Sequence, residues 1–253
     1  MAVTLNASTS NGLIQTADTS GILNLQSNGT TMLSVTSTGP VLAAGTTTIA
    51  PLDFAAGTLL TTAIAGGVEY NGTALFFTPT STQRGVIPTS QYYRLNSAVV
   101  GANATGAQSL FGVGVTLSAS TVYEFEAIIA LSKTAGTTSH TIAIGFGGTA
   151  TLNNIGYMII SANDSSFTSV STNTSEFVQT AAATVQTGAI TTANRVVYSN
   201  IKGTVSINAG GTFIPQYTLS AAPGGAYTTQ IGNYFKITPL SASGANTSIG
   251  IWA

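Results

Sequence analysis

The residues of this sequence with the greatest capacity for chemistry are the closely spaced pair Glu124 and Glu126 and the single histidine, His140. Two carboxylates two positions apart on a strand share one face at a separation of about 7 Å, which overlaps the carboxylate spacing of glycoside hydrolases. Productive pairs flank a sugar cleft from separate elements. We therefore expect Glu124 and Glu126 to carry solvated charges, or to meet Arg94 or Arg195 across a subunit boundary.

His140 is the one residue around which a Ser-His-Asp triad or a histidine metal site could form, and nothing in the sequence marks an acid partner for it. We expect a strand-edge residue that is hydrogen-bonded to a neighbouring loop. The chain has no cysteine, and the glycine-rich residues 145–148 lack the lysine of a phosphate-binding loop. The sequence therefore predicts no catalytic residue, no metal site and no cofactor.

Several aromatic residues near turns and strand ends could instead form a platform for a glycan, because aromatic faces commonly hold sugars. Packing in a core or an interface is the interpretation we favour, since aromatic side chains carry much of the buried area of a β domain. The residues concerned are Tyr92, Tyr93, Tyr217, Tyr227, Tyr234 and the sole tryptophan, Trp252.

Charged residues make up only 5% of the chain, against about 25% in an average globular domain. With a net charge of -1 and no basic run, the sequence does not predict a nucleic-acid partner. It has no run of 18 or more apolar residues, so we expect no membrane insertion. It also lacks a visible secretory signal, which predicts synthesis in the cytoplasm. Because so little charge protects a free monomer against association, the composition favours an obligate oligomer or an assembled lattice.

The elements that must position these residues are predicted to be β-strands throughout. Residues 1–47 repeat loosely with a period near ten, and apolar strand-like runs at 12–16, 21–25 and 31–35 are separated by Gly- and Asn-containing links. One copy of this segment cannot bury its apolar residues, whereas three chains could do so together. We predict an extended N-terminal β stem or arm, with a flexible arm as the alternative.

A hairpin module is predicted over residues 48–90, because Asn71-Gly72 lies between two strand-like runs and fits a type I′ turn. From residue 91 to 253, strand patterns follow at the spacing of a β-sandwich. Within Thr121 to Leu131, alternate residues from Tyr123 onward form one apolar face. The other predicted strands cover residues 140–147, 155–161, 201–208, 212–219, 234–240 and 247–252. The predicted fold is all-β, with an antiparallel, jelly-roll-like sandwich as the C-terminal domain.

Several sequence segments, in the same order along residues 50 to 253, resemble segments of virion proteins of tailed bacteriophages, which form tail fibres, head fibres and capsid decorations. The segments lie at residues 51–62, 65–72, 75–79, 101–109, 111–117, 203–208 and 215–217. The resemblance implies a β-rich, non-enzymatic, homotrimeric component made in the host cytoplasm and exposed on the exterior of the particle. It supplies no catalytic residues.

A long tail fibre needs an extended shaft, whereas only about 47 residues precede the hairpin module. We therefore expect a capsid decoration or cement protein, or a short head fibre, that binds the major capsid protein or another virion protein. In this interpretation the N-terminal segment anchors and intertwines the trimer, and the sandwich projects as a knob. One alternative is a tail-fibre or baseplate tip that recognises a host surface glycan. Another is a polysaccharide-degrading enzyme that uses Glu124 and Glu126.

Overall fold

A computed structural model describes residue 20, residues 22–167, 172–181 and 184–250, and residue 252. Every regular element among these residues is a β-strand. The chain divides into two compact units, Met1–Ala55 and Ala56–Ala253. The all-β prediction is confirmed. The strand-like run predicted at residues 12–16 lies outside the described residues.

The N-terminal unit contains a three-stranded antiparallel sheet in the order β1-β2-β3. Its strands are β1 (Leu23–Ser27), β2 (Thr30–Thr36) and β3 (Gly39–Leu42). Asn28 and Gly29 join β1 to β2 and have φ angles of 51° and 77°. Two consecutive residues with positive φ in a two-residue link are the mark of a type I′ turn, which suits Asn-Gly. The predicted short strands with tight turns are present at this point of the chain.

The second unit begins with a small sheet of three strands in the order β4-β5-β6. They are β4 (Val68–Tyr70), β5 (Leu75–Phe77) and β6 (Gly85–Val86). The predicted hairpin is present, but the type I′ turn predicted at Asn71-Gly72 is wrong. Tyr70 pairs with Leu75, so the link has four residues, and of Asn71 and Gly72 only the glycine takes a positive φ, of 87°. The Asn71 side chain closes the link itself, since Oδ1 accepts the N–H groups of Thr73 and Ala74, each at 2.9 Å, as asparagine commonly does in turns.

An ion pair between Glu69 and Arg84 fixes an irregular segment to this small sheet. Arg84 Nε donates to Glu69 Oε2 at 2.8 Å, and the two side chains are only 18% and 12% exposed for Arg84 and Glu69. The other carboxylate oxygen accepts the N–H of Leu60 at 2.7 Å, while Arg84 donates to the Leu60 carbonyl at 2.6 Å. The Leu60 N–H, followed by Arg84, holds the pKa of Glu69 below its usual value against the opposing effect of burial. The Glu69–Arg84 pair therefore binds both the N–H and the carbonyl of Leu60.

Two antiparallel sheets form the rest of the second unit and pack as a β-sandwich. Their strands are β7 (Gln91–Arg94), β8 (Val99–Val100), β9 (Gly106–Ser109), β10 (Val115–Leu117), β11 (Thr121–Lys133), β12 (Ile142–Gly147), β13 (Thr151–Asp164), β14 (Thr172–Val178), β15 (Thr184–Val185), β16 (Arg195–Ala209), β17 (Gly211–Leu219), β18 (Thr228–Thr229) and β19 (Tyr234–Ala242).

The larger sheet has the order β14-β13-β16-β11-β18-β8, with β19 also paired to β11 and β7 paired to β19. The smaller sheet has the order β10-β17-β12-β15, with β9 also paired to β17. The sandwich strands therefore run from Gln91 to Ala242. The strand predicted over residues 247–252 is wrong for its described positions, which form no strand.

The core lies between the two sheets and is built by alternation along the strands. The predicted face of β11 is confirmed, because its members are all 4% exposed or less: Tyr123, Phe125, Ala127, Ile129 and Leu131. Phe125 packs edge-on to Phe146 of the opposite sheet, with 4.9 Å between ring centroids. Phe146 in turn stacks on Phe213 at 4.7 Å and meets Tyr157 edge-on at 5.2 Å. Ring packing of this kind adds about 0.5–1.5 kcal/mol per pair beyond area burial. These rings form an aromatic group within a core that also contains many Ile, Leu and Val side chains.

Candidate functional site

The apolar face of the N-terminal sheet is the candidate self-association surface of this chain. Register places its members in two rows across the sheet: Leu23, Val35 and Pro40 in one row, and Leu25, Leu33 and Leu42 in the other. The opposite face carries mainly polar side chains, including Ser34, which donates to Asn24 Oδ1 at 2.5 Å. It also carries Val41, which pairs with Ser34 and is 56% exposed. We call the six apolar residues the stem face.

No described residue of the N-terminal unit is buried. Within the stem face, Leu23, Leu25, Val35 and Leu42 are between 40% and 46% exposed. A three-stranded sheet gains its stability by covering an apolar face, and this one is bare. The sequence predicted this need from the repeat alone, but the division into one apolar and one polar face required the register.

Glu124 and Glu126, the candidate carboxylate pair, lie on the outward face of β11. Register sets Glu126 between Lys202 of β16 and Lys236 of β19, and its carboxylate oxygens lie 3.9 Å and 3.6 Å from the two ammonium groups. Glu124 lies opposite two threonines on the same neighbouring strands. The four charged side chains line an open groove of about 400 Å³.

The two arginines considered as partners of this pair are engaged elsewhere in the chain. Arg94 donates to Asn96 Oδ1, and Arg195 donates to Asn163 Oδ1. The lysines that do flank Glu126 were missed, because only the strand register brings residues 126, 202 and 236 together. Half-exposed ion pairs of this kind contribute about 0–1 kcal/mol each to stability. The two lysines therefore mainly neutralise the charge of Glu126 on a surface with few other charges.

His140 is buried at 2% exposure and lies in a hydrogen-bonded cluster between the sheets. Its backbone forms a bridge with Ile190, with Ile190 N donating to the His140 carbonyl at 2.8 Å. The Thr138 carbonyl lies 2.7 Å from Nδ1, so Nδ1 carries the proton, and Nε2 accepts the Tyr227 hydroxyl at 2.8 Å. The predicted hydrogen bond to a neighbouring loop is present, but the residue is buried and not at an exposed edge.

Lys133 is a buried lysine that the sequence did not single out. It is 3% exposed, and its Nζ donates to the carbonyls of Thr192, Gly136, Ala193 and Ala135 at 2.5, 2.7, 3.1 and 3.3 Å. Nζ also lies 5.9 Å from the centre of the Tyr227 ring. Burial, and then the positive charge of Arg195, lower the pKa of Lys133. The ammonium therefore ties the loop after β11 to the loop before β16.

Burial lowers the pKa of His140, with smaller contributions in the same direction from Lys133 and Arg195 and an opposing one from the Thr138 carbonyl. The unfolded chain then binds the proton more readily than the folded chain. We expect the contribution of His140 to the free energy of unfolding to be constant above about pH 7.5 and to fall as the pH drops below about 6.5, by at most about 1.4 kcal/mol per pH unit.

Urea unfolding at one protein concentration from pH 5.5 to 8 measures this slope. The chain has one histidine, so His140→Gln should remove the slope whatever its effect on overall stability. An equal slope in the variant would assign the titration to another group.

The aromatic residues proposed as a glycan platform are distributed over different environments. Tyr217 and Tyr227 are buried, and burial raises the pKa of Tyr217 to about 12. Tyr92 stacks on Tyr234, with 5.2 Å between centroids, and Tyr93 meets Phe111 edge-on at 6.1 Å. Core packing is therefore observed for two of the tyrosines, while Trp252 is 80% exposed.

The described part of the chain contains no group of three or more His, Asp or Glu residues that could hold a metal ion. None of its elements is a helix of the length and apolarity required to cross a membrane. No protein-family model matches the chain, and comparison with curated proteins and with solved structures likewise gave no match.

Proposed function

We propose that this chain is a non-enzymatic structural protein of a tailed-bacteriophage virion, a homotrimer that assembles through its N-terminal unit and displays its sandwich on the exterior of the particle. In its most specific form, the proposal is a capsid decoration or cement protein, or a short head fibre, that binds the major capsid protein. The virion assignment depends on the resemblance of residues 50–253 to such proteins.

The observation that carries the proposal is the bare stem face. Burying a leucine or valine side chain stabilises by about 1.5–3 kcal/mol. Five such residues and Pro40 stand on one face with no cover from the described residues of their own unit. Three copies arranged with these faces toward a common axis would cover them and leave the polar faces outside. A module that is stable only with copies of itself suits an assembled particle.

The sandwich supports the role of a projecting knob. We interpret the partial orders β7-β19-β11-β16 and β10-β17-β12-β15 as a jelly-roll pattern, an architecture that is common in capsid proteins. The hairpin β13-β14 then extends one sheet.

The environment of Glu126 supports a non-enzymatic role for the outward face. A general acid or nucleophile of a glycosidase works in a cleft with a second carboxylate, whereas Glu126 lies between two lysines on an open sheet. Reducing ends should not be released from bacterial capsule by the full chain, and release that is lost in Glu126→Gln would contradict this part of the proposal.

Two measurements test the proposal. Sedimentation equilibrium of the full chain should give three times the chain mass of 25.4 kDa, and Fab fragments raised against it should decorate the shell of intact particles in electron micrographs. A monomer would overturn the assembly, a dimer would correct the number of copies, and labelling at the tail tip alone would select the receptor-binding alternative.

A further inference from the structure

A cleft of about 350 Å³ opens at one edge of the sandwich, between edge strand β7 of the larger sheet and β10 of the smaller sheet. It forms because Tyr93 and Gln91 of β7 lie opposite the buried Phe235 and Ile237 and so face the interior at an edge where the two sheets part. The volume is within the range of small-molecule sites, about 300–1,000 Å³.

The floor of the cleft is apolar and rigid. Phe111, Phe235 and Ile237 line it and are 3%, 5% and 1% exposed, so each is fixed by the core. The ring of Tyr93, 45% exposed, stands edge-on to Phe111. This leaves an aromatic surface accessible at the mouth, where a flat apolar group could lie against it.

The rim is polar but uncharged. Gln91 and Tyr93, at inward positions of β7, contribute an amide and a hydroxyl, and neither side chain has a hydrogen-bond partner among the described residues. No Asp, Glu, Lys, Arg or His lines the cleft. A charged ligand would leave its charge uncompensated against an apolar floor, which favours a neutral partner.

We propose that this cleft binds a neutral sugar ring, with the apolar face of a pyranose against Tyr93 and its hydroxyls bonded to the Gln91 amide. A pyranose is the common ligand chemistry that offers one apolar face surrounded by uncharged donors and acceptors. The cleft lies within one chain, so this inference does not depend on the trimer.

Saturation-transfer NMR on the full chain tests the site, with the methyl glycosides of glucose, galactose, mannose and N-acetylglucosamine as neutral probes and N-acetylneuraminic acid as a charged one. At least one neutral glycoside should bind, and the acid should bind more weakly. Tyr93→Ala should raise the dissociation constant by up to about tenfold, since one ring contact is worth up to about 1.5 kcal/mol and about 1.4 kcal/mol is a factor of ten.

Two exposed valines provide a matched pair of variants. Val113 lines the cleft and is 46% exposed, whereas Val100 is 70% exposed and lies outside it. Val113→Glu should abolish sugar binding and Val100→Glu should preserve it, with sedimentation unchanged in both. If the chain is a trimer but binds none of the glycosides, the sugar-site inference is wrong and the proposed assembly stands.

The last probe in this experiment is N-acetylphenylalanine amide, a neutral mimic of a protein side chain. If it binds in a manner sensitive to Val113→Glu while all the sugars fail, the cleft receives a side chain of a partner protein and the sugar proposal is wrong.

Discussion

Leu33→Lys is expected to convert the proposed trimer into a monomer. Leu33 lies on the central strand β2, paired with Leu25 on one side and Leu42 on the other, so it occupies the middle of the stem face. The substitution removes one buried leucine from each of three copies, about 5 kcal/mol or more per trimer. It also brings three ammonium groups together in an apolar contact, where desolvation makes them costly.

Sedimentation equilibrium at micromolar concentration measures the change. Gln26→Lys is the matched control, because it places the same charge on the same sheet but on its polar face, where Gln26 Nε2 donates to Thr31 Oγ1 at 3.2 Å. We expect the control to remain a trimer. If Leu33→Lys sediments as the wild type does, the copies meet through some other surface.

Lys133→Met is expected to destabilise the sandwich by about 3 kcal/mol, since a hydrogen bond from a charged donor contributes about 1.5–3 kcal/mol and the buried ammonium contacts four backbone carbonyls. Methionine keeps most of the aliphatic stem, so the loss reports the ammonium and not its packing. The two loops joined by Lys133, which contain Gly136 and Thr192, would then be held by other contacts alone.

Urea unfolding of the full chain at pH 7.5 measures this loss. Lys202→Met is the control, because that side chain is 69% exposed and exposed substitutions usually stay within about 0.5 kcal/mol. A change below 1 kcal/mol in Lys133→Met would mean that other donors replace the ammonium.

Strand positions were the most predictable part of this fold, because alternation is a local pattern. The face of β11 that begins at Tyr123 and Phe125 could be read from the sequence since each residue needs only its second neighbour to define the period. Residues 247–252 show a similar local pattern, yet strand formation also requires a partner edge, and the described residues there pair with none.

The turn types illustrate the same limit. Among the described residues Asn-Gly occurs at 28–29 and at 71–72, and of these two pairs only the first forms the type I′ turn. The difference lies in the length of the link and in the hydrogen bonds of the Asn71 side chain, neither of which is encoded in the dipeptide. Contacts across strands were beyond sequence reasoning for the same reason, as the pairing of Glu126 with Lys202 and Lys236 shows.

The stem face also determines how a particle carrying this protein should respond to its surroundings. No charged residue occurs between positions 19 and 52, so dissolved ions have nothing to screen there. Salt concentrated enough to release electrostatically bound proteins should leave the proposed contact between stem faces intact, and sulfate should tighten it. Cooling should weaken this contact, because hydrophobic stabilisation decreases at low temperature.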